Sequence, residues 1–131
     1  MGFISRLKST ADHRLKNSMS FFSWLKGGRG RHRVVGTSME PSLFDGDLVF
    51  TAPVELAALD TGDVVVAQKD NHNWIKRVSS FGNNTVALSS DNPFDSVDSR
   101  HVGSFTGEQL LGRAFAVFKS DGTFRWLQKK L

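Results

Sequence analysis

Short apolar runs separated by polar turn residues dominate the chain from residue 34 onward. Such runs, typical of β-strands, occur at 34–35, 48–51, 64–68, 74–79, 85–88, 113–118 and 123–126. Turn-forming pairs such as Asp45-Gly46, Asp70-Asn71 and Asp121-Gly122 lie between them. Two brief helical turns are predicted, at 55–59 and 107–111. The pattern predicts an all-β (mainly β) fold, arranged as a coiled sheet sandwich or barrel.

The first 33 residues have a different pattern. Apolar residues recur at helical spacing over residues 1–26 and favour an amphipathic helix, which ends at the Gly-rich hinge 27–30. Eight of the 17 Lys and Arg residues lie in this part, against one acid, Asp12. We therefore predict a basic arm at 1–33 and a mildly acidic domain at 34–131. A basic arm can approach phosphates, an anionic membrane surface or an acidic partner, and it can also be a solvated leader.

Composition excludes several kinds of site. The chain has no cysteine, which rules out disulfides, a thiol nucleophile and a zinc–thiolate centre. Its four histidines lack metal-ligand spacing, so we expect neither a metal nor another cofactor. No run approaches the ~20 apolar residues that a membrane-spanning helix needs. We expect a cytoplasmic protein, with weak contact between residues 1–26 and a membrane surface as the alternative, and no nucleic-acid partner.

Ser38 and Lys76 are the candidate catalytic residues. Ser38 lies in the turn 36–41, which a glycine opens, and Lys76 lies inside the apolar run 74–78. A serine hydroxyl needs a base to act as a nucleophile, and lysine can serve when burial lowers its pKa. Alternate side chains of a strand share a face, so Lys76 can be buried while Arg77 points the other way. Taken alone, Ser38 is better explained as an ordinary turn serine, and Lys76 as a strand-edge lysine with a solvated amine.

A third motif, residues 90–103, is dense in Asp, Asn and Ser. This composition is typical of a loop held by hydrogen bonds between side chains and backbone. Its acids are also candidates for ion pairs with Arg77 and Arg100.

Together these stretches resemble the signal peptidase I family of Ser/Lys endopeptidases. The resemblance covers residues 34–120 and implies a signal peptidase/LexA-like β fold and serine endopeptidase activity. The matching stretches, in the family's order, are Gly36-Thr37-Ser38-Met39-Glu40-Pro41-Ser42-Leu43, Thr61-Gly62-Asp63-Val64-Val65-Val66, Ile75-Lys76-Arg77-Val78, Asp91-Asn92 with Ser96-Val97-Asp98-Ser99-Arg100-His101-Val102-Gly103, and Gly112-Arg113-Ala114.

The resemblance also implies roles for individual residues. Ser38 would be the nucleophile that forms the acyl-enzyme, with its backbone N–H as one oxyanion donor, and Lys76 the general base. Ser96 would orient the lysine amine. Some family members place a hydroxyl donor where this chain has Gly36, which leaves the second oxyanion donor open. The supporting ion pairs would be Arg77–Asp91 and Asp98–Arg100.

The missing membrane anchor and second domain make the chain resemble the maturation proteases of nickel-type superoxide dismutase. That resemblance implies a protein precursor as substrate, with the nickel superoxide dismutase precursor as first candidate and its N-terminal propeptide as the segment removed. One alternative is a peripheral-membrane signal peptidase held by residues 1–26. Another is a LexA-like self-cleaving DNA-binding regulator, although the arm is short and no Ala-Gly dipeptide precedes Ser38. A third is a non-catalytic module that keeps the fold. The oligomeric state is left open.

Overall fold

The structure is a computed structural model that describes residues 30–94 and 103–127. Two single-turn 3-10 helices, Leu56–Ala58 and Gly107–Gln109, join an otherwise β structure. The prediction of a mainly β fold is confirmed, whereas the helix predicted for residues 1–26 lies outside the described residues. The strands are β1 Gly30–Arg33, β2 Leu48–Ala52, β3 Val64–Lys69, β4 His72–Gly82, β5 Thr85–Ser89, β6 Ser104–Thr106, β7 Leu110–Phe118 and β8 Phe124–Trp126.

Within the described part of the chain, the eight strands form one antiparallel sheet. Its order is β1-β2-β7-β3-β4-β5-β6, and β8 pairs with β7. Strand β7 therefore lies between β2 and β3, which joins the two halves of the domain. The register shifts within the β2–β7, β3–β7 and β4–β5 pairs. Such irregularities bend a sheet, and here they allow it to curve around its own side chains.

The core lies on both faces of the sheet, and β3 shows why. Val64 and Val66 belong to one buried cluster, while Val65 and Ala67 belong to the other. Successive side chains of a strand point to opposite faces, so a strand with both faces covered needs a continuous apolar run. The first cluster also includes Val34, Met39, Leu43, Val49, Ala114 and Val117, and the second includes Leu59, Val78, Val86, Leu88 and Phe105.

The β3–β4 hairpin sets the register on which the site depends. Its turn consists of Asp70 and Asn71, both with positive φ, 54° and 66°. Asp and Asn tolerate this conformation, and a two-residue turn of this kind matches the twist of the strands it joins. The turn predicted at this pair is thus confirmed. The hairpin brings Lys76 directly opposite Val65 on the neighbouring strand.

One strand was predicted in the wrong place, and one strand was not predicted at all. The first strand is not 34–35 but Gly30–Arg33, so the last residues of the predicted arm belong to the sheet. This edge strand reads Gly-Arg-His-Arg and pairs with β2 through its backbone, which requires no apolar pattern. Strand β6 was not predicted, because it is three residues long and buries Phe105 alone. The rest of the arm lies outside the described residues.

Candidate active site

Ser38 lies in a turn that its own buried neighbours hold in place. Met39 and Leu43 follow it and are fully buried in the first core cluster, while Ser38 itself is half-buried. Gly36 has φ of +86°, a conformation that residues with a side chain rarely adopt, and its N–H donates to Asp45 Oδ1 at 2.8 Å. The chain therefore reverses sharply just before the serine, which leaves Ser38 at the surface of the core.

The end of this turn is anchored by the buried carboxylate of Asp47. One oxygen accepts the N–H of Phe44 at 2.8 Å and the Lys119 ammonium at 2.6 Å, and the other accepts the N–H of Ser120 at 3.1 Å. Burial by itself would raise the pKa of Asp47, but these hydrogen bonds and the charge of Lys119 outweigh it, so its pKa is lowered. The ionised carboxylate thus ties the serine turn to the strand end of β7.

Lys76 is a buried lysine in the middle of β4. It is 4% exposed and faces the same side of the sheet as Trp74 and Val78. Its Nζ lies 5.9 Å from the centre of the Trp74 ring and donates a hydrogen bond to Ser90 Oγ at 2.9 Å. The amine therefore lies near an aromatic ring and has a neutral hydroxyl among its partners.

Arg77 points to the opposite face, as the strand alternation predicts. Its guanidinium makes two parallel bonds to the Asp91 carboxylate, at 2.8 and 2.7 Å, so the predicted Arg77–Asp91 ion pair is present. The guanidinium also donates to the carbonyl of Gly62 at 2.8 Å and to Ser42 Oγ at 3.3 Å. The charge next to Lys76 is thus neutralised on the far side of the sheet from the amine.

The residues after β5 reach back to the serine turn. The backbone N–H of Asn92 donates to the carbonyl of Ser38 at 2.9 Å, and its side-chain amide donates to the carbonyl of Thr37 at 2.9 Å. Sequence reasoning found the polar character of this segment but assigned no role to Ser90 or Asn92. Composition shows that a loop is rich in hydrogen-bonding groups, but it does not show which residue each group meets.

One cavity of about 600 Å³ brings the two catalytic candidates together. Ser38 and Lys76 both line it, although 38 positions separate them in the chain. Gly36 lies in its wall, beside Ser38. Three further residues predicted for the site, Ser96, Asp98 and Arg100, lie outside the described residues. Among the described residues, the cavity wall includes residues 31–39, from β1 and the serine turn, and residues 73–76 of β4.

Comparison with protein families agrees with the β fold. The family model described as Peptidase S24-like matches residues 18–115, about three quarters of the chain. The chain belongs to this family. Membership in the Peptidase S24-like family indicates a serine-type peptidase or a self-cleaving protein of the LexA kind. No curated protein matches the chain significantly. Among the described residues, no helix is long and apolar enough to cross a membrane.

Proposed function

We propose that the protein is a serine endopeptidase in which Ser38 and Lys76 form a Ser/Lys dyad. The observation that carries this proposal is their position in one cavity, with the serine on a sharp turn and the lysine buried beside an apolar ring. Membership in the Peptidase S24-like family supports the reaction class. The roles of the two residues follow from their chemistry.

In the first half of the reaction, Ser38 Oγ attacks the carbonyl carbon of a substrate peptide bond. Its proton passes to the neutral amine of Lys76, and the resulting ammonium then gives that proton to the departing peptide nitrogen. The carbon–nitrogen bond breaks and an ester to Ser38 remains. In the second half, Lys76 takes a proton from a water molecule as the water oxygen attacks the ester carbon. The bond between that carbon and Ser38 Oγ then breaks, the ammonium of Lys76 returns its proton to Oγ, and the new carboxyl end of the substrate is released.

Negative charge develops on the carbonyl oxygen in both halves, and the backbone N–H of Ser38 can stabilise it. In the described part of the chain, no group accepts a hydrogen bond from this N–H. Gly36 contributes no hydroxyl, so a second donor has to come from backbone or from another residue. The Asn92 contacts to the carbonyls of Thr37 and Ser38 support this role, since they fix the peptide planes of the turn.

For the substrate, we propose a protein precursor that loses its N-terminal propeptide, with the nickel superoxide dismutase precursor as first candidate. The support is the sequence resemblance to the maturation proteases of that enzyme. Incubation with this precursor, followed by intact-mass measurement, should show cleavage at one bond near its N-terminus. If this precursor stays intact while another protein is cleaved, the proposed substrate is wrong, but the proposed Ser/Lys mechanism is not contradicted.

Variants of the dyad test the mechanism itself. Ser38→Ala and Lys76→Ala should each lower kcat/KM at least about 10³-fold while circular dichroism and thermal unfolding stay close to wild type. Lys76→Arg should fail as well, because a guanidinium stays charged at working pH. Wild-type activity should rise with pH as Lys76 loses its proton. Near-wild-type turnover in any of these variants would contradict the assignment.

A second candidate function, self-cleavage by a regulator of the LexA kind, is favoured by the family match. It predicts that the purified chain, incubated alone between pH 7 and 10, breaks into two fragments at a rate independent of concentration. The fragments should be absent for Ser38→Ala. An unchanged intact mass under these conditions favours the endopeptidase that acts on a separate precursor.

A further inference from the structure

The three residues that follow β5 contact three different parts of the candidate site. Ser90 Oγ accepts a hydrogen bond from Lys76 Nζ, and Asp91 pairs with Arg77. Asn92 donates to the carbonyl of Ser38. Residues 90–92 therefore touch the proposed base, its charged neighbour and the turn of the proposed nucleophile. A segment this short can hardly move at one of these contacts without disturbing the others.

We propose that Ser90 is a positioning residue that aims the amine of Lys76 at Ser38, a role that the family resemblance implies for Ser96 and not for Ser90; the inference rests on the proposed Ser/Lys function. A neutral amine has two N–H donors and one lone pair, and only the lone pair can accept a proton. When one N–H is donated to Ser90, rotation about the Cε–Nζ bond is restricted. The lone pair is then limited to a few directions, of which the one toward the shared cavity is productive.

The type of residue at position 90 suits this task. A carboxylate at hydrogen-bond distance would hold the amine but would also stabilise its charged form, which cannot accept a proton. Ser90 is neutral, so it orients the amine at a smaller electrostatic cost. The neighbouring carboxylate of Asp91 is held by both nitrogens of the Arg77 fork on the other face. The Ser90 hydroxyl thus contacts Lys76, and the Asp91 carboxylate contacts Arg77.

Packing against neighbours does not by itself direct the amine of Lys76. Val65 lies directly opposite Lys76 and is fully buried, and the nearby ring nitrogen of Trp74 is a donor that cannot accept from the amine. A flexible four-carbon side chain loses entropy when it is held in one conformation. The hydrogen bond to Ser90 is a contact of defined geometry that gives the amine a direction.

Steady-state kinetics with Ser90→Ala, Ser90→Thr and a control variant test this role. Ser90→Ala should lower kcat about 10- to 100-fold with little change in KM, because substrate binding is unaffected while proton transfer is misdirected. Ser90→Thr keeps the hydroxyl and should recover most of the activity. The matched control is Ser79→Ala on the same pair of strands, whose exposed hydroxyl donates to the carbonyl of Ala87, and it should behave as wild type.

A titration by NMR gives a readout that needs no substrate. In protein labelled with ¹³C at lysine Cε, the Lys76 signal is assigned with Lys76→Arg and followed against pH. A hydroxyl stabilises the ammonium more strongly than the amine, so Ser90→Ala should move the titration midpoint to lower pH. If this shift occurs but the protein has no peptidase activity, the proposed function is contradicted, while the contact between Ser90 and Lys76 is supported. If Ser90→Ala keeps both the wild-type midpoint and the wild-type kcat, the inference about Ser90 is overturned.

Discussion

Removal of the Asp91 carboxylate should destabilise the fold strongly, because it breaks a nearly buried ion pair. Asp91 and Arg77 form a nearly buried ion pair, with side chains 3% and 10% exposed. Their contact is bidentate, the geometry in which a guanidinium and a carboxylate bind most strongly. In Asp91→Ala, the guanidinium would stay buried without its counter-charge.

The size of the effect follows from this burial. Loss of one partner from a buried pair costs about 3–5 kcal/mol, because the remaining charge is uncompensated. Arg77 keeps its bonds to the carbonyl of Gly62 and to Ser42, so we expect a value near the lower end, about 3 kcal/mol. For a chain of this length, that corresponds to a decrease in Tm of roughly 10–15 °C.

Urea unfolding monitored by tryptophan fluorescence measures this cost, and a double-mutant cycle identifies its cause. Arg77→Met combined with Asp91→Ala removes both charges, so it should be less destabilising than the sum of the two single changes. A useful control is Arg113→Ala, because Arg113 is 45% exposed and lies 4.0 Å from Asp63. Asp63 is 4% exposed, but the guanidinium is partly solvated and lies at the limit of contact distance, so Arg113→Ala should cost less than about 1 kcal/mol.

Two results would refute the reasoning. If Asp91→Ala lowered the free energy of unfolding by no more than Arg113→Ala does, the pair would not be buried in solution as described. If the double variant equalled the sum of the single variants, the cost would come from lost packing rather than from an unpaired charge.

Three further predictions concern the serine turn. Gly36→Ala should lower the free energy of unfolding by about 1–2 kcal/mol, because alanine is strained at the positive φ of this position. An added Cβ would meet nothing within 4 Å, so no steric clash adds to this cost. Thermal unfolding measures the difference. The lowered pKa of Asp47 means that its contribution to stability is complete above its ordinary value of 3.8 and is lost as the pH falls below it. Urea unfolding between pH 6 and 2.5 should therefore show a steeper acid loss for wild type than for Asp47→Asn, and parallel curves would contradict the anchoring role. Asn92→Ala removes the side-chain bond to the carbonyl of Thr37, while the backbone N–H at position 92 still donates to the carbonyl of Ser38. It should lower kcat and decrease global stability by no more than about 1–2 kcal/mol, and an unchanged kcat would exclude this role.

Local patterns were enough to predict much of the fold. The apolar run of β3 and the alternation along β4 depend on a period of two residues, which any strand imposes on its side chains. They predicted a mainly β fold and the separation of Lys76 from Arg77 on opposite faces. The Asp70-Asn71 turn was equally readable, because only a few residue types tolerate positive φ. Strand β1 was missed because an edge strand that is held by backbone hydrogen bonds leaves no apolar pattern in the sequence.

The tertiary structure alone decided which distant residues meet. The shared cavity of Ser38 and Lys76 depends on the curvature of a sheet in which β7 separates β2 from β3, and no local pattern carries that order. The same holds for Ser90, whose contact with Lys76 arises from the pairing of β4 with β5 and from the direction of the chain after β5. The sequence determined which side chains share a face of each strand, because this follows from local backbone geometry. Contacts between strands far apart in the chain required the packed sheet, because they follow from hydrogen-bonded register and not from residue type.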